Sequence, residues 1–98
     1  MKLEFAAEAE ADFEAVADFI ARDSPRQALL FITELREACE RLTTFPRRYP
    51  VVHHDKRGEI RKALHGNYLI FFKIEEDTIY VIHILHGATD YQARFPDP

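Results

Sequence analysis

The chain is poor in several residue types, and each shortage removes a class of protein. It has no tryptophan, three glycines and one cysteine. A single cysteine excludes an internal disulfide framework. Cys39 sits at a helical core spacing, as a small buried hydrophobe would, and a reducing cytoplasm fits. No apolar run approaches the roughly 20 residues that a membrane helix needs. The opening stretch MKLEFAAEAEADFEAVADF is acidic almost from the start. It lacks the basic and then apolar regions of a secretory signal, so a cytoplasmic location is expected. There is no glycine-rich phosphate loop and no serine–histidine–aspartate pattern. The adjacent His53 and His54 have no third ligand at a fitting spacing, so no metal site is read, and no cofactor is expected.

What is present fits one domain over residues 1–98. Hydrophobic residues make up 47% of the 98, with eight Phe and four Tyr, enough for a small core. The net charge of −4 argues against a general nucleic-acid binder. Its distribution is uneven. Residues 1–40 hold ten acids against four Lys or Arg. Residues 47–65, RRYPVVHHDKRGEIRKALH, hold six Lys or Arg, three His and two acids. Two readings stand for this local basic patch: a solvated loop and strand, or a surface that meets an anion or an acidic partner.

The element order reads β–αα–βββ. KLEF is a short strand. Phe13, Val16, Ala17 and Ile20 fall at helical spacing, with Glu8, Asp12, Glu14 and Asp18 off that stripe as an acidic outer side. Ser24 is a good N-cap, Pro25 suits the first helical position, and Gln27 sits where a capping box places Glu or Gln. Ala28, Ile32, Leu35, Cys39 and Leu42 then form the stripe of a second helix, with Leu30 pointing away. The short link makes the helices an antiparallel hairpin. Pro46 and Pro50 end the helical region. VVHHDKRG reads as a loop or irregular edge, EIRKALH as a strand, and His65-Gly66-Asn67-Tyr68 as a tight hairpin. YLIFFKI and TIYVIHIL are apolar on both sides and belong at the centre of a sheet. The class is α+β, with a helical hairpin on one face of a small, mainly antiparallel sheet.

Strand alternation then sorts side chains by face. Pairing His65 with Tyr68 places Arg61, Ala63, His65, Tyr68, Ile70 and Phe72 together. An even-length loop at 75–78 adds Val81, His83 and Leu85; an odd one turns His83 over. The opposite set, Ile60, Leu64, Leu69, Phe71, Tyr80, Ile82 and Ile84, is more uniformly apolar, so the helices are expected to cover it. That leaves a mixed face of Arg61, Tyr68, Ile70, Phe72, Val81, His83 and Leu85 as the expected surface for a protein partner. Arg61 has two readings, an acidic or nucleic-acid partner and an internal ion pair. His86, before a glycine at a strand end, reads as a structural hydrogen-bonding residue, and His65 as an exposed turn residue.

Nearly the whole chain resembles the RelE/ParE superfamily of type II toxin–antitoxin toxins, often labelled plasmid stabilization proteins. The resemblance rests on AEADFEAVADFIARDSPRQALLFITELREACERLTTFPRRYP and GEIRKALHGNYLIFFKIEEDTIYVIHILHGATD, taken in order. Its most specific parts are Ile60-Arg61, Gly66-Asn67-Tyr68, and Ile84-Leu85-His86-Gly87 with Asp90.

The resemblance implies a small toxin neutralised by a cognate antitoxin, ParD-like or another small protein, that wraps a segment around it. The superfamily divides by target. The ParE branch acts on DNA gyrase without chemistry of its own. The RelE branch cleaves mRNA on the ribosome. An interferase needs a base, an acid and cations near the phosphate, and here Arg61, His83 and Tyr91 are the residues that match in kind. HGATD carries Thr89 where ParE-like chains commonly have arginine. The long helical hairpin, the GNYLIFF turn and the acidic total favour the ParE branch, since a ribosome binder makes many phosphate contacts. The alternatives are a RelE-like mRNA interferase and an inactive binding relative.

Overall fold

The computed structural model describes residues 1–87, and Thr89, Asp90 and Tyr91 lie outside that range. Strand β1 (Lys2–Phe5) leads into helices α1 (Ala7–Ala21) and α2 (Pro25–Arg41). A 3-10 turn at Pro46–Arg48 follows, then β2 (Val51–Asp55), β3 (Gly58–His65), β4 (Tyr68–Glu75) and β5 (Thr78–His86). The five-stranded sheet has the order β1-β5-β4-β3-β2. Only the β1–β5 pair is parallel. The architecture is the α+β one expected, with one strand more. VVHHD is an irregular edge strand against β3, with a register shift between Val51 and His53.

Local chemistry accounts for the element ends. The Ser24 hydroxyl accepts from the Gln27 amide at 3.2 Å, and Pro25 occupies the first turn, where its missing N–H costs nothing. Gly66 adopts φ +58° in the tight turn that pairs His65 with Tyr68, a conformation that glycine enters without a Cβ clash.

The core departs from the expected arrangement. Ala9, Phe13, Leu35, Ala38, Cys39 and Leu42 of the helical layer pack on Ala63, Ile70, Phe72, Ile79, Val81 and Ile84 of the sheet. The helices therefore cover most of the face expected to be bare. Of the polar members of that set, His65 ends β3, Arg61 turns to the 3-10 segment from the middle of β3, and His83 meets Asp12 of α1. On the other face Ile60, Phe71, Ile82 and Leu85 form a second buried cluster with Val52 and Leu69, while Leu64 is exposed.

A bulge explains why alternation failed. The β4–β5 turn is even, with Glu75 opposite Thr78. But Phe72 pairs with Val81 and Phe71 with His83, so Ile82 is an extra residue in β5. Beyond it Ile84, not Leu85, pairs with Ile70 and joins the helix-side core.

Candidate functional site

Asp12 was expected on the solvent side of α1, and it turns inward instead. Its Oδ2 accepts from the Ile84 amide at 2.9 Å and lies 3.2 Å from His83 Nδ1. Both side chains are nearly enclosed, at 12% and 10% exposure. The need for this contact follows from strand length. β1 pairs with β5 only as far as Val81, and α1 takes over from there. The amide of Ile84 just past the bulge then needs an acceptor, and a carboxylate from the neighbouring helix supplies it.

The same helix face forms one wall of a groove. Asp12, Ala15, Val16 and Phe19 line it from α1, and Tyr68, Ile84, Leu85 and His86 line it from the strand ends, around a volume of about 360 Å³. Tyr68 is held by an edge contact to His86 at 5.1 Å and a tilted contact to Phe31 of α2 at 5.3 Å. Burial raises its phenol above the ordinary tyrosine value. Phe19 stands 62% exposed at the groove's end, and Leu29 and Leu30 are exposed on the first turns of α2. The groove and the turn end of the hairpin thus present apolar side chains to solvent, a form suited to the apolar face of an amphipathic segment.

The residues expected to form one partner surface are not brought together. Ile70, Phe72 and Val81 are fully buried between sheet and helices, and no partner reaches them. Leu85 points to the opposite face and is almost buried, although it borders the groove. Tyr68 alone of the set is a half-exposed wall of the groove. His83 is bound to Asp12. Arg61 is 13% exposed and donates from Nη1 to the carbonyls of Tyr49 at 2.6 Å and Arg47 at 3.1 Å, with Glu59 at 3.9 Å. It fastens the 3-10 turn to β3. Tyr91 lies outside the described residues.

His65 is half-buried beside Phe31, and His53 lies 3.7 Å from Asp55. Among the described residues, no three His, Cys, Asp or Glu side chains are grouped to hold a metal ion. No described helix is long and apolar enough to cross a membrane.

Sequence reasoning missed Asp12 and Phe19. The signal for both was present, because Asp12, Val16 and Phe19 follow the i, i+4, i+7 spacing of one helix face.

The profile of the ParE toxin of type II toxin–antitoxin systems (parDE) matches residues 3–91. The chain belongs to the ParE toxin family. A chain of the chromosomal ParDE toxin–antitoxin system from P. aeruginosa superposes with a TM-score of 0.71 at 18% identity, covering 89% of this chain and 96% of that one. A chain of the toxin–antitoxin complex RelBE2 from Mycobacterium tuberculosis superposes with a TM-score of 0.59, also at 18% identity, over 89% and 91%. At such identity these likenesses establish the fold alone. No curated protein matches the sequence.

Proposed function

We infer that this ParE-type toxin arrests growth in the cytoplasm by inhibiting DNA gyrase, and that a cognate antitoxin neutralises it. The observation that carries the choice of target is the commitment of Arg61. A ribonuclease reading needs that guanidinium free to meet a phosphate. Here it holds two backbone carbonyls of its own chain. His83, the second residue of that reading, faces a carboxylate inside the protein. Neither is presented to an RNA backbone, which favours a toxin that acts by binding. The antitoxin segment, in this reading, lies along the groove beside α1, with apolar residues on Phe19 and Tyr68.

Inducible expression of the chain alone tests the target. Growth arrest with a DNA-damage response, intact mRNA and inhibited supercoiling by purified gyrase is expected. Arrest with mRNA cut on ribosomes would replace this reading with the RelE-like one. Absence of arrest with soluble protein present would identify an inactive binding relative.

A further inference from the structure

The segment between α2 and β2 carries a feature that lies outside the groove assigned above to the antitoxin. Phe45 is the most exposed large hydrophobic among the described residues, at 74%, and its backbone is left-handed, with φ 51° and ψ 55°. A bulky non-glycine residue is seldom held there, and the conformation persists only where the surroundings impose it. The surroundings here are well built. The Arg48 amide donates back to the Phe45 carbonyl at 3.2 Å, and the Tyr49 amide to the Pro46 carbonyl at 3.3 Å. Arg61 grips the carbonyls of Arg47 and Tyr49 from below. Tyr49 meets core residue Phe72 edge-on at 5.7 Å. The Arg48 guanidinium lies 5.0 Å over the Tyr49 ring and donates to its hydroxyl at 2.9 Å.

The result is a rigid corner that holds an aromatic ring out to solvent beside two guanidinium groups. Met1, Phe45, Pro46, Arg47 and Arg48 line a shallow depression there. No described carboxylate lines it, and none among the described residues forms an ion pair with Arg47 or Arg48. Arg47 and Arg48 open the basic stretch 47–65, whereas the acids concentrate in the helical layer. An exposed ring face next to two guanidinium groups, that of Arg48 held against Tyr49, is the chemistry that receives a base and its flanking phosphates. An acidic peptide would answer the charges but gives no reason for a ring held clear of the surface.

We propose that the Phe45–Arg47–Arg48 corner binds single-stranded nucleic acid, with one base stacked on the Phe45 ring and adjacent phosphates on Arg47 and Arg48. The inference is independent of the gyrase reading, and its failure leaves that reading intact.

Anisotropy of a fluorescein-labelled oligothymidylate of about twelve nucleotides tests it with the purified chain. Phe45→Ala is expected to weaken binding by about tenfold or more, and Phe45→Trp to preserve it. Replacing both arginines by Gln is expected to lower the slope of log affinity against log salt by about 1.4, near 0.7 for each phosphate contact to a single strand. Arg22→Gln, at the hairpin turn, should leave binding unchanged. Phe45→Gly separates the ring from the fold: it suits the left-handed backbone, so the protein stays folded while binding falls as for Phe45→Ala. Absence of binding, variants equal to wild type, or equal displacement by polyglutamate would overturn the proposal.

Discussion

Asp12 and Ile84, 72 positions apart in the chain, are joined by a 2.9 Å hydrogen bond from the Ile84 amide to the Asp12 carboxylate. The bond fastens α1 to β5 just past the bulge, where β1 no longer pairs. Asp12→Ala removes that acceptor and the neighbour of His83. A buried donor left without its acceptor costs about 1–3 kcal/mol, so a loss of about 2 kcal/mol is expected in urea denaturation. Asp12→Asn keeps an acceptor oxygen and should lose less than about 1 kcal/mol. Equal losses in the two variants would show that the charge, not the acceptor, matters.

Arg61 is expected to behave as a structural residue. Arg61→Ala releases two carbonyls of the 3-10 turn and should lower stability by about 2 kcal/mol, measured as a shift in urea midpoint. Lysine is a compact point charge and does not reproduce the guanidinium's reach to two acceptors, so Arg61→Lys should recover little of the loss. A variant that keeps wild-type stability but loses toxicity would instead make Arg61 a residue that touches the target.

The acid limb of stability should carry a contribution from Asp55. The side-chain hydrogen bonds from Arg57 lead in holding its carboxyl below the ordinary value of 3.8, against an opposing effect of burial, and the Arg57 amide donates as well at 2.7 Å. A lowered value in the folded chain means that the contribution is full above the unfolded value and is lost as pH falls through the folded one. Asp55→Asn should therefore reduce stability at neutral pH and make no difference below both values. The effect is small because the pair meets solvent. Urea midpoints of both proteins followed from neutral pH into the acid range check this, and a gap that does not narrow as the pH falls would contradict it.

Cys39 should be inert in the native state. Its side chain is fully buried, and desolvation pushes the thiol up to about 12. Ellman's reagent at pH 8 should label it only in denaturant, because the reactive form is the thiolate. A raised value means that the unfolded chain releases its proton first, so stability should fall from about pH 9 upward. Cys39→Ala should lack that part of the alkaline loss. Rapid labelling of the folded protein would contradict the buried placement.

The elements legible in the sequence are those whose causes are local. Ser24 caps Gln27, Gly66 turns the chain, and Phe13, Val16, Leu35 and Cys39 show their stripes within single helices. The sheet faces were not legible, because one extra residue at Ile82 reverses the alternation that the even turn at Glu75–Thr78 had set. Arg61 hid its role for a different reason. Its partners are backbone carbonyls, which no side-chain pattern announces. Asp12 belongs to a third kind, an acid whose partner lies in another element and whose inward turn shows only as its place beside Val16 and Phe19.

The groove offers the sharpest test of antitoxin binding. Phe19 projects from the last turns of α1 with little of its ring buried, so replacing it should leave the fold unaffected. In the proposed complex it becomes an aromatic anchor, and truncating such an anchor costs about 2 kcal/mol or more of binding, roughly thirtyfold. Phe19→Gln should therefore keep the wild-type urea midpoint and arrest growth when expressed alone, while the cognate antitoxin no longer rescues growth at matched expression. Leu64→Ser supplies the control, since Leu64 is also an exposed large hydrophobic but belongs to the sheet face away from the helices. Rescue should persist in that variant. If Phe19→Gln is rescued as well as wild type, the antitoxin does not use the groove. If only Leu64→Ser escapes rescue, the docking surface lies on the opposite face of the sheet.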